Sequence, residues 1–465
     1  MSTPLRSTAL AAALLSACSQ SQKPTPVGPV VSNGAEVVFA RVGATETRLF
    51  AQPESGGEAI ALTPAGARAE FGGTAGKRVI YGVLAADGTL AAVRAVGLDG
   101  QGDAALGTLA PAAFRGLRGL HVTGDGSLVL ELARASGARE LRIARGSAPL
   151  AAFASGSWLG EAAGVIAYLA NAQSLGDGVG DVRAIRLDGS ADRLLGAGGG
   201  DDQFHGFAGA SAVLTAHRSG ATEVRSVPLD GSAAKVRAGS RGVLFFSGGA
   251  LVAARGAALE KLDASLAATT IALPAGTTAL AVLPDGRVAG FAAGSGLLAA
   301  DSAKATVLDA TDATSALAAH VLHTANGDRL VYTANGATGS FLRSARLDGG
   351  GAALLAEGHG QEVLFTSALS TGRIVFYKTK GNEPGGWLHS VRAEGGDERM
   401  LGDGASGTLT AADHDFGGVT KAGRIVFEAE LVDHQPPQLF VVEPDGAVRG
   451  LTGGGSYATL SAIVE

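Results

Sequence analysis

The chain has 465 residues, and its 37 basic and 43 acidic side chains give a net charge of −6 at pH 7. With only 17% charged residues, this balance excludes a nucleic acid as the expected partner. The mean hydropathy of +0.23 comes mostly from alanine, and no apolar run reaches the roughly eighteen residues of a membrane-spanning helix. The 71 glycines indicate a turn-dense β protein.

The N-terminal segment predicts export. Residues 1–17 carry one basic residue, Arg6, followed by the apolar stretch 9–15, which are the parts of a secretory signal peptide. The segment leads into Leu15-Ser16-Ala17-Cys18. This tetrapeptide resembles the bacterial lipoprotein lipobox at all of its positions. The resemblance implies cleavage before Cys18 and lipid attachment to it, and the alternative is an ordinary signal peptide that contains a cysteine.

Residues 18–32 are predicted to form a lipidated cysteine and a flexible tether. Cys18 is the only cysteine in the chain, so the mature protein forms no internal disulfide. The following residues include Pro and Gln and show no apolar periodicity. Buried acyl chains, at about 0.8 kcal/mol per CH₂, would anchor the protein durably. Ser19 replaces the Asp associated with inner-membrane retention of such lipoproteins, so the resemblance favours the outer membrane.

A β pattern then recurs along residues 33–465, about every 43 residues, which predicts an all-β propeller with one four-stranded blade per repeat. The clearest copies open the second strand, strand B, with a basic residue and an apolar run, as in Arg373-Ile-Val-Phe376. A turn such as Leu347-Asp348-Gly349 follows strand C in many units, because Asp and Gly tolerate hairpin-turn geometry. Ten units can be counted, with strand B near residues 37, 78, 128, 165, 213, 251, 288, 330, 374 and 425.

The phase of the repeat predicts a closed ring. The first unit begins at strand B, and residues 457–464 form a spare strand at the end. This strand would supply the missing inner strand of the first blade and remove the exposed sheet edges. Eight blades with a merged middle, or two smaller rings, are the alternatives. A single ring of ten is favoured, because the last strand must reach back to residue 36.

Among propellers, the repeats look most like the TolB-type family of cell-envelope proteins. The shared features are the basic residue that opens strand B and the strand C that ends in Asp-Gly, as at Leu187-Asp188-Gly189. The resemblance spans most of residues 36–455. The family's Ser-Pro-Asp-Gly turn before strand B survives only as fragments such as Pro284-Asp285-Gly286, so the resemblance does not imply a role in the Tol system.

The same layout separates two faces of the ring. The A–B and C–D connections are tight turns on one face, and the B–C and D–A loops share the other. Because loops on a rigid scaffold usually carry the binding groups, we expect the binding site on the face of the B–C and D–A loops, here called the B–C face. The longest loops there are predicted at residues 171–181, 196–205, 378–386, 402–417 and 431–438.

Blades nine and ten concentrate polar chemistry on that loop face. Asp413, His414 and Asp415 are expected just before an innermost strand, near the channel mouth. Carboxylates with imidazoles can bind a divalent metal or act as acid and base, and the alternative is a solvated polar loop. No metal-ligand spacing occurs, so no catalytic residue, metal or cofactor is predicted. The candidate ligand-binding residues are Lys378, Lys380, Trp387, Asp413, His414, Asp415, Asp433 and His434.

Other histidines are expected to have structural roles. Asp201, Asp202 and His205 repeat the acidic-plus-histidine theme before the fifth blade, where packing or hydrogen bonding is the expected role. His320 and His323 are three residues apart on a predicted strand, so they would face opposite sides and could not chelate one metal together.

The sequence therefore predicts a lipid-anchored propeller of the bacterial cell envelope. It would act as a binding or scaffolding module whose partner is an envelope protein or a cell-wall glycan. The alternative is a propeller enzyme, a polysaccharide lyase or hydrolase that uses the acidic and histidine cluster of blades nine and ten.

Overall fold

The structure of the protein is a computed structural model. It describes residues 35–146, 148–174, 179–196, 202–218, 221–238, 243–247, 250–255, 258–263, 265–324, 326–337, 339–358, 362–369, 372–380, 383–401, 414–429, 437–443, 448–452 and 457–464. Over these ranges all regular elements are β-strands. The same ranges contain no helix that is long and apolar enough to cross a membrane.

The strands form antiparallel groups of four, each ordered A to D from the innermost strand outward. Blade one comprises β40 (Tyr457–Val464), β1 (Glu36–Val42), β2 (Thr47–Pro53) and β3 (Ile60–Ala61). Blade two comprises β4 (Ala69–Ala75), β5 (Arg78–Leu84), β6 (Leu90–Gly97) and β7 (Ala104–Thr108). Blade three comprises β8 (Phe114–Val122), β9 (Leu128–Arg134), β10 (Arg139–Ala144) and β11 (Ala151–Ser155). Blade four comprises β12 (Ser157–Ala162), β13 (Val165–Ser174), β14 (Val179–Arg186) and β15 (Arg193–Leu194). Blade five comprises β16 (Asp202–Ala208), β17 (Ser211–Arg218), β18 (Ala221–Pro228) and β19 (Lys235–Ala238).

The second half of the chain continues in the same way. Blade six comprises β20 (Val243–Ser247), β21 (Ala250–Arg255), β22 (Ala258–Leu262) and β23 (Ala268–Thr270). Blade seven comprises β24 (Thr278–Val282), β25 (Val288–Ala292), β26 (Gly296–Ala300) and β27 (Ala305–Asp309). Blade eight comprises β28 (Ser315–Leu322), β29 (Arg329–Gly336), β30 (Gly339–Arg346) and β31 (Ala352–Glu357). Blade nine comprises β32 (Val363–Ala368), β33 (Arg373–Lys380), β34 (Glu383–Arg392) and β35 (Arg399–Met400). Blade ten comprises β36 (His414–Val419), β37 (Ile425–Ala429), β38 (Gln438–Val442) and β39 (Val448–Gly450).

Strand B is apolar along its length because each blade is packed between two others. In blade nine, Ile374, Val375 and Phe376 are all fully buried. Successive side chains of a strand point to opposite faces, so Ile374 and Phe376 join the core shared with blade eight, whereas Val375 joins the core shared with blade ten. A strand buried on both faces reads as a continuous apolar run rather than an alternation.

The Asp-Gly turns have a direct structural cause. In the C–D turn of blade eight, Gly349 has a φ of 79°, and Asp348 Oδ1 accepts a hydrogen bond from the Gly350 N–H at 2.8 Å. Glycine adopts positive φ without steric cost, and the Asp side chain satisfies a turn amide. The Arg-Leu-Asp-Gly sequence therefore recurs at residues 186–189 and 346–349 for the same local reason.

The hydrophobic core is divided into clusters that lie between neighbouring blades. Within the described residues there are ten clusters, and together they join all ten consecutive pairs of blades around the ring. The cluster between blades ten and one contains Val37 and Phe39 together with Val426 and Val441. This arrangement confirms the prediction of a single ring of ten and excludes two separate rings.

The last strand closes the ring as predicted. β40 pairs antiparallel with β1, for example at Val37↔Ile463 and Ala40↔Thr459. Blades four and five are not separate sheets. Strand β14 also pairs with β16, at Val179↔Gln203 and Gly180↔Asp202, and this pairing joins the two blades into one eight-stranded sheet.

Each of the ten innermost strands carries a bulge opposite strand B. In blade nine the bulged residue is Thr366, and in blade ten it is Gly417. Blades three and eight differ from the other blades. Blade three has a bulge at Arg118 and blade eight has one at Leu317, and each lies two residues further along strand B than the bulges of the other blades. Bulges locally bend a strand and redirect its side chains.

The innermost strands of blades three and eight also each carry a histidine that stacks on a neighbouring ring. His121 and His320 occupy the same position relative to strand B, and each stacks on an aromatic ring of the next blade. The centroid distance is 4.4 Å from His121 to Trp158 and 4.3 Å from His320 to Phe365. Since blades three and eight are five apart in a ring of ten, the two stacks lie on opposite sides of the channel.

Candidate binding site

Two of the predicted binding residues lie opposite each other on one hairpin of blade nine. Lys378 on β33 pairs with Trp387 on β34. The Lys378 Nζ donates a hydrogen bond to Glu398 Oε1 at 2.6 Å and lies 5.8 Å from the centre of the Phe376 ring. The charge of Lys378 is therefore compensated within the blade. Lys380 belongs to the same strand, and its side chain lies outside the described residues.

An imidazole completes this polar group. His389 Nδ1 lies 3.0 Å from Glu398 Oε1, and its ring stacks on Phe376 at a centroid distance of 5.4 Å. Burial lowers the pKa of His389, and the nearby Lys378 charge lowers this pKa further, against the opposing effect of Glu398. The imidazole is consequently neutral at pH 7 and packs as part of the blade. His389 and Glu398 are not predicted from the sequence, because both occupy ordinary strand and turn positions.

Two loops predicted on the B–C face are instead mostly strand. Pairing in blade nine continues through Lys378↔Trp387 and Thr379↔Gly386, so the predicted loop 378–386 is an extended hairpin. In blade four, β13 runs to Ser174 and β14 begins at Val179, which shortens the predicted loop 171–181 in the same way. The cause is continued backbone pairing beyond the apolar part of each strand. β13 and β34 are the longest strands described, at ten residues each, and their blades lie on opposite sides of the ring.

The predicted cluster of blade ten is only partly described. β36 is the innermost strand of this blade, as predicted, but it begins at His414, so His414 and Asp415 lie within the strand rather than before it. They pair through their backbones with Ala429 and Glu428. The side chains of these two residues lie outside the described part of the chain, as do Asp413, Asp433, His434 and Cys18.

Three other histidines of the described residues, His205, His320 and His323, have structural contacts. His205 Nε2 lies 2.7 Å from the Thr215 hydroxyl, and burial lowers the pKa of His205 to about 4, which confirms the expected hydrogen-bonding role. His320 lies on β28, and His323 follows that strand in the A–B turn, where its Nδ1 is 2.8 Å from Asp328 Oδ1. Over the described ranges, no group of three or more His, Cys, Asp or Glu side chains could hold a metal ion.

A polar cleft of about 660 Å³ lies on the face of the tight turns, between blades seven and eight. It is bounded by the A–B turns of both blades and by the C–D turn of blade eight. Its charged lining consists of Asp285, Arg287, Asp328, Arg346 and Asp348. The sequence predicts only turns at Pro284-Asp285-Gly286 and Leu347-Asp348-Gly349. Their convergence could not be found from spacing, because the two turns belong to different repeats.

Comparison with known proteins gives only distant structural likenesses. No family model matches the chain, and no curated protein matches it. The tricorn protease structure aligns over 90% of this chain and 45% of its own, with 12% identity and a TM-score of 0.27. Porphyromonas gingivalis dipeptidyl peptidase 4 aligns over 84% of this chain and 59% of its own, with 10% identity and a TM-score of 0.44. A putative TolB from Agrobacterium tumefaciens aligns over 48% of this chain and 87% of its own, with 14% identity and a TM-score of 0.26.

These likenesses concern the fold alone. The chain spans about half the length of the tricorn protease chain and less than two thirds of the dipeptidyl peptidase. The strand order and the pairing of β1 with β40 define the class of protein as a closed, all-β propeller. Because propellers carry many unrelated functions, the class does not identify a ligand.

Proposed function

We propose that this chain is a lipid-anchored β-propeller of the bacterial cell envelope that binds or scaffolds a protein or a cell-wall glycan. The observation that supports the proposal best is the closed ring, in which hydrophobic clusters join each blade to both neighbours. Such a ring is a stiff support that can display loops without rearrangement. The lipobox-like segment ending at Cys18 supplies the proposed anchor, with the outer membrane favoured by Ser19.

The two extended hairpins of blades four and nine define the proposed contact surface. They are built from β13–β14 and β33–β34, and they project on the B–C face from opposite sides of the ring. Trp387 lies near the B–C end of its hairpin, opposite Lys378. A partially exposed tryptophan on a rigid hairpin offers contact area at low entropic cost, whether the partner is a protein or a sugar.

Site-specific crosslinking in intact cells tests this surface. A photo-crosslinking amino acid would replace Trp387 in one strain and Asp188, on the opposite face in blade four, in a matched control strain. We expect an envelope protein or glycan to be recovered, by mass spectrometry, from the Trp387 position only. Recovery of no envelope component from Trp387, or equal recovery from both positions, would remove the support for this surface.

The proposed anchor is tested separately. The Cys18→Ala variant is expected to leave the membrane fraction and appear in the soluble envelope fraction, because it lacks the acylated thiol. A Cys18→Ala protein that still partitions with membranes contradicts the lipoprotein proposal. The enzyme alternative, a polysaccharide lyase or hydrolase, rests on the sequence cluster at Asp413 and His434, and no described contact adds to it.

A further inference from the structure

We propose that Arg41 and Arg48 of blade one form a binding site for the carboxylate side chains of an acidic peptide segment. The two arginines flank the B–C turn of this blade, on the B–C face. The site goes beyond the function proposed above, because it lies on a different blade from the two contact hairpins. It is tested on the purified chain, so its outcome does not depend on the anchor or on a cellular partner.

The two guanidinium groups are held beside one aromatic ring. Arg41 on β1 is paired directly opposite Arg48 on β2. The Cζ atoms of Arg41 and Arg48 lie 4.6 and 5.1 Å from the centre of the Phe50 ring, and this ring belongs to the cluster shared with blade ten. Like charges directly opposite each other destabilise a strand pair, so a bound anion would offset this repulsion.

Much of the hydrogen-bonding capacity of these groups is unused within the described residues. Arg48 donates from Nε and Nη2 to the Thr63 carbonyl, at 3.3 and 3.2 Å. Arg41 is covered at Nε, which makes no hydrogen bond, although its side chain as a whole is only partly buried. The terminal nitrogens of Arg41 and the Nη1 of Arg48 therefore remain to bind a ligand.

Two acidic side chains near the pair are engaged elsewhere. Glu46, in the B–C turn itself, accepts a hydrogen bond at Oε2 from the Gly66 N–H at 2.6 Å. Glu428 of blade ten accepts at Oε1 from the Leu460 N–H of β40 at 2.5 Å. In the described part of the chain, neither these carboxylates nor any other forms an ion pair with the two arginines. The pair therefore carries a local positive charge.

Blade three contains a comparable arrangement together with an acid. Arg134 and Arg142 lie 5.8 and 5.0 Å from the centre of the Phe114 ring. Both donate to the carboxylate of Glu140, Arg142 from its Nε at 2.7 Å, and Glu140 is 3% exposed. Two arginines beside one ring thus bind a glutamate within this same chain. The described residues of blade one supply the arginines and the ring, and we expect the peptide to supply the glutamate or aspartate.

A guanidinium selects a carboxylate by geometry as well as by charge. Its N–H groups form a planar fork that matches the two carboxylate oxygens. The contacts with Phe50 restrict the movement of both forks without neutralising their charge. Because the whole chain has a net charge of −6, the rest of its surface on average repels an acidic peptide. Attraction is therefore expected at a local basic pair such as this one.

The test is calorimetric titration of the purified full chain with triglutamate, trigalacturonate, trilysine and maltotriose. We expect saturable binding of triglutamate in the millimolar range or tighter, and no binding of trilysine or maltotriose. Absence of triglutamate binding overturns the proposal, as does preferential binding of trilysine or maltotriose. Preferential binding of trigalacturonate also overturns it, since the ligand would then be an acidic glycan rather than a peptide.

The chain provides a matched control for the residues of the site. Arg41→Gln and Arg48→Gln remove the charge but keep a polar side chain over Phe50. We expect each to weaken triglutamate binding at least about tenfold, as loss of a charge-assisted hydrogen bond does. Arg134→Gln should leave binding unchanged, because Arg134 lies beside a ring in the same way but is already paired with Glu140. Equal losses in all three variants would show that the pair in blade one is not the binding site.

Discussion

Arg424 and Glu54 are 370 residues apart in the chain, and the Arg424 Nη1 donates a hydrogen bond to Glu54 Oε1 at 2.8 Å. Glu54 follows β2 in blade one and is 1% exposed, whereas Arg424 precedes β37 in blade ten. Arg449 of blade ten also donates to the Glu54 carbonyl, and Arg424 is held in turn by Glu443 at 2.6 Å. The junction of the first and last blades thus has a polar contact in addition to the pairing of β1 with β40.

The Arg424→Ala variant should destabilise this junction. It leaves the Glu54 carboxylate buried without its cation, and breaking such a pair costs about 3 kcal/mol or more. Arg399→Ala is the control, because the Arg399–Asp397 pair is 52% and 29% exposed and such surface pairs contribute about 1 kcal/mol or less. Denaturant unfolding of both variants would measure the difference. Equal losses would mean that Glu54 does not depend on Arg424.

Asp309 forms a second contact between blades. This residue of β27 in blade seven accepts hydrogen bonds from the Tyr332 hydroxyl at 2.5 Å and from Arg343 Nε at 2.7 Å, both in blade eight. Burial, together with Asp309, raises the pKa of Tyr332, so the phenol remains protonated as a donor throughout the physiological range. The contact is nearly inaccessible to solvent, since the Asp309 side chain is 3% exposed.

We expect Asp309→Asn to cost about 3 kcal/mol in the free energy of unfolding, because it leaves the half-buried Arg343 without a counter-charge at a nearly inaccessible contact. Blade two contains the matched control, in which Asp103 accepts from Tyr81 and Arg94 but is 31% exposed. Asp103→Asn should cost about 1 kcal/mol or less. An Asp309→Asn protein as stable as the Asp103→Asn protein would contradict this interpretation.

His121 should make the stability of the ring depend on pH. Burial lowers the pKa of His121 from 6.5 to about 4, so below pH 6.5 the unfolded chain binds a proton that the folded chain does not. The free energy of unfolding therefore falls as the pH decreases from 6.5 to about 4. At about 1.4 kcal/mol per pH unit, the contribution is up to about 3 kcal/mol.

The His121→Phe variant keeps a ring for stacking on Trp158 and removes the titrating group. Its unfolding free energy should therefore fall less steeply than that of the wild type over the same pH interval, as measured by denaturant unfolding at several pH values. NMR titration of the wild-type imidazole gives a direct check. A His121 resonance that titrates near pH 6.5 would falsify the prediction.

Gly156 is the single residue that joins β11 of blade three to β12 of blade four. Its φ is 151°, and an added Cβ would lie 2.2 Å from the backbone oxygen of Leu169. The Gly156→Ala variant should therefore lose about 3 kcal/mol or more, from steric overlap as well as backbone strain. Gly351→Ala is the control, because Gly351 has a φ of 157° but no atom within 4 Å of the added Cβ. Thermal unfolding should rank Gly156→Ala clearly below this control.

Much of this architecture was predictable, because blades bury both faces of strand B and repeat the same turn. Runs such as Arg373-Ile-Val-Phe376 are visible in the sequence for that reason, and the spare strand at residues 457–464 fixed the closure. The repeat pattern is weak in the sequence of blades six and seven, because small residues replace large apolar ones in their strands. Gly290 in β25, for example, lies where an added Cβ would be 2.6 Å from Thr277 Cγ2.

The candidate sites were less predictable. The sequence indicated Lys378 and Trp387, which do face each other, but it did not reveal that Glu398 neutralises the lysine. The cleft depends on contacts such as that between Arg287 and the Leu347 carbonyl, across 60 residues. A contact of this kind is set by the angle between two blades, which local spacing does not encode.

The pairing of β1 with β40 also constrains the order of folding. Among the described strands, β1 is synthesised first and its inner-edge partner β40 is synthesised last. Until then, the inner edge of β1 offers unpaired amide and carbonyl groups to any other chain. Formation of this last ladder requires closure of a loop that includes nearly the entire ring, and such non-local pairing is slow. We therefore expect this edge to be the segment that is most exposed to misassembly during synthesis.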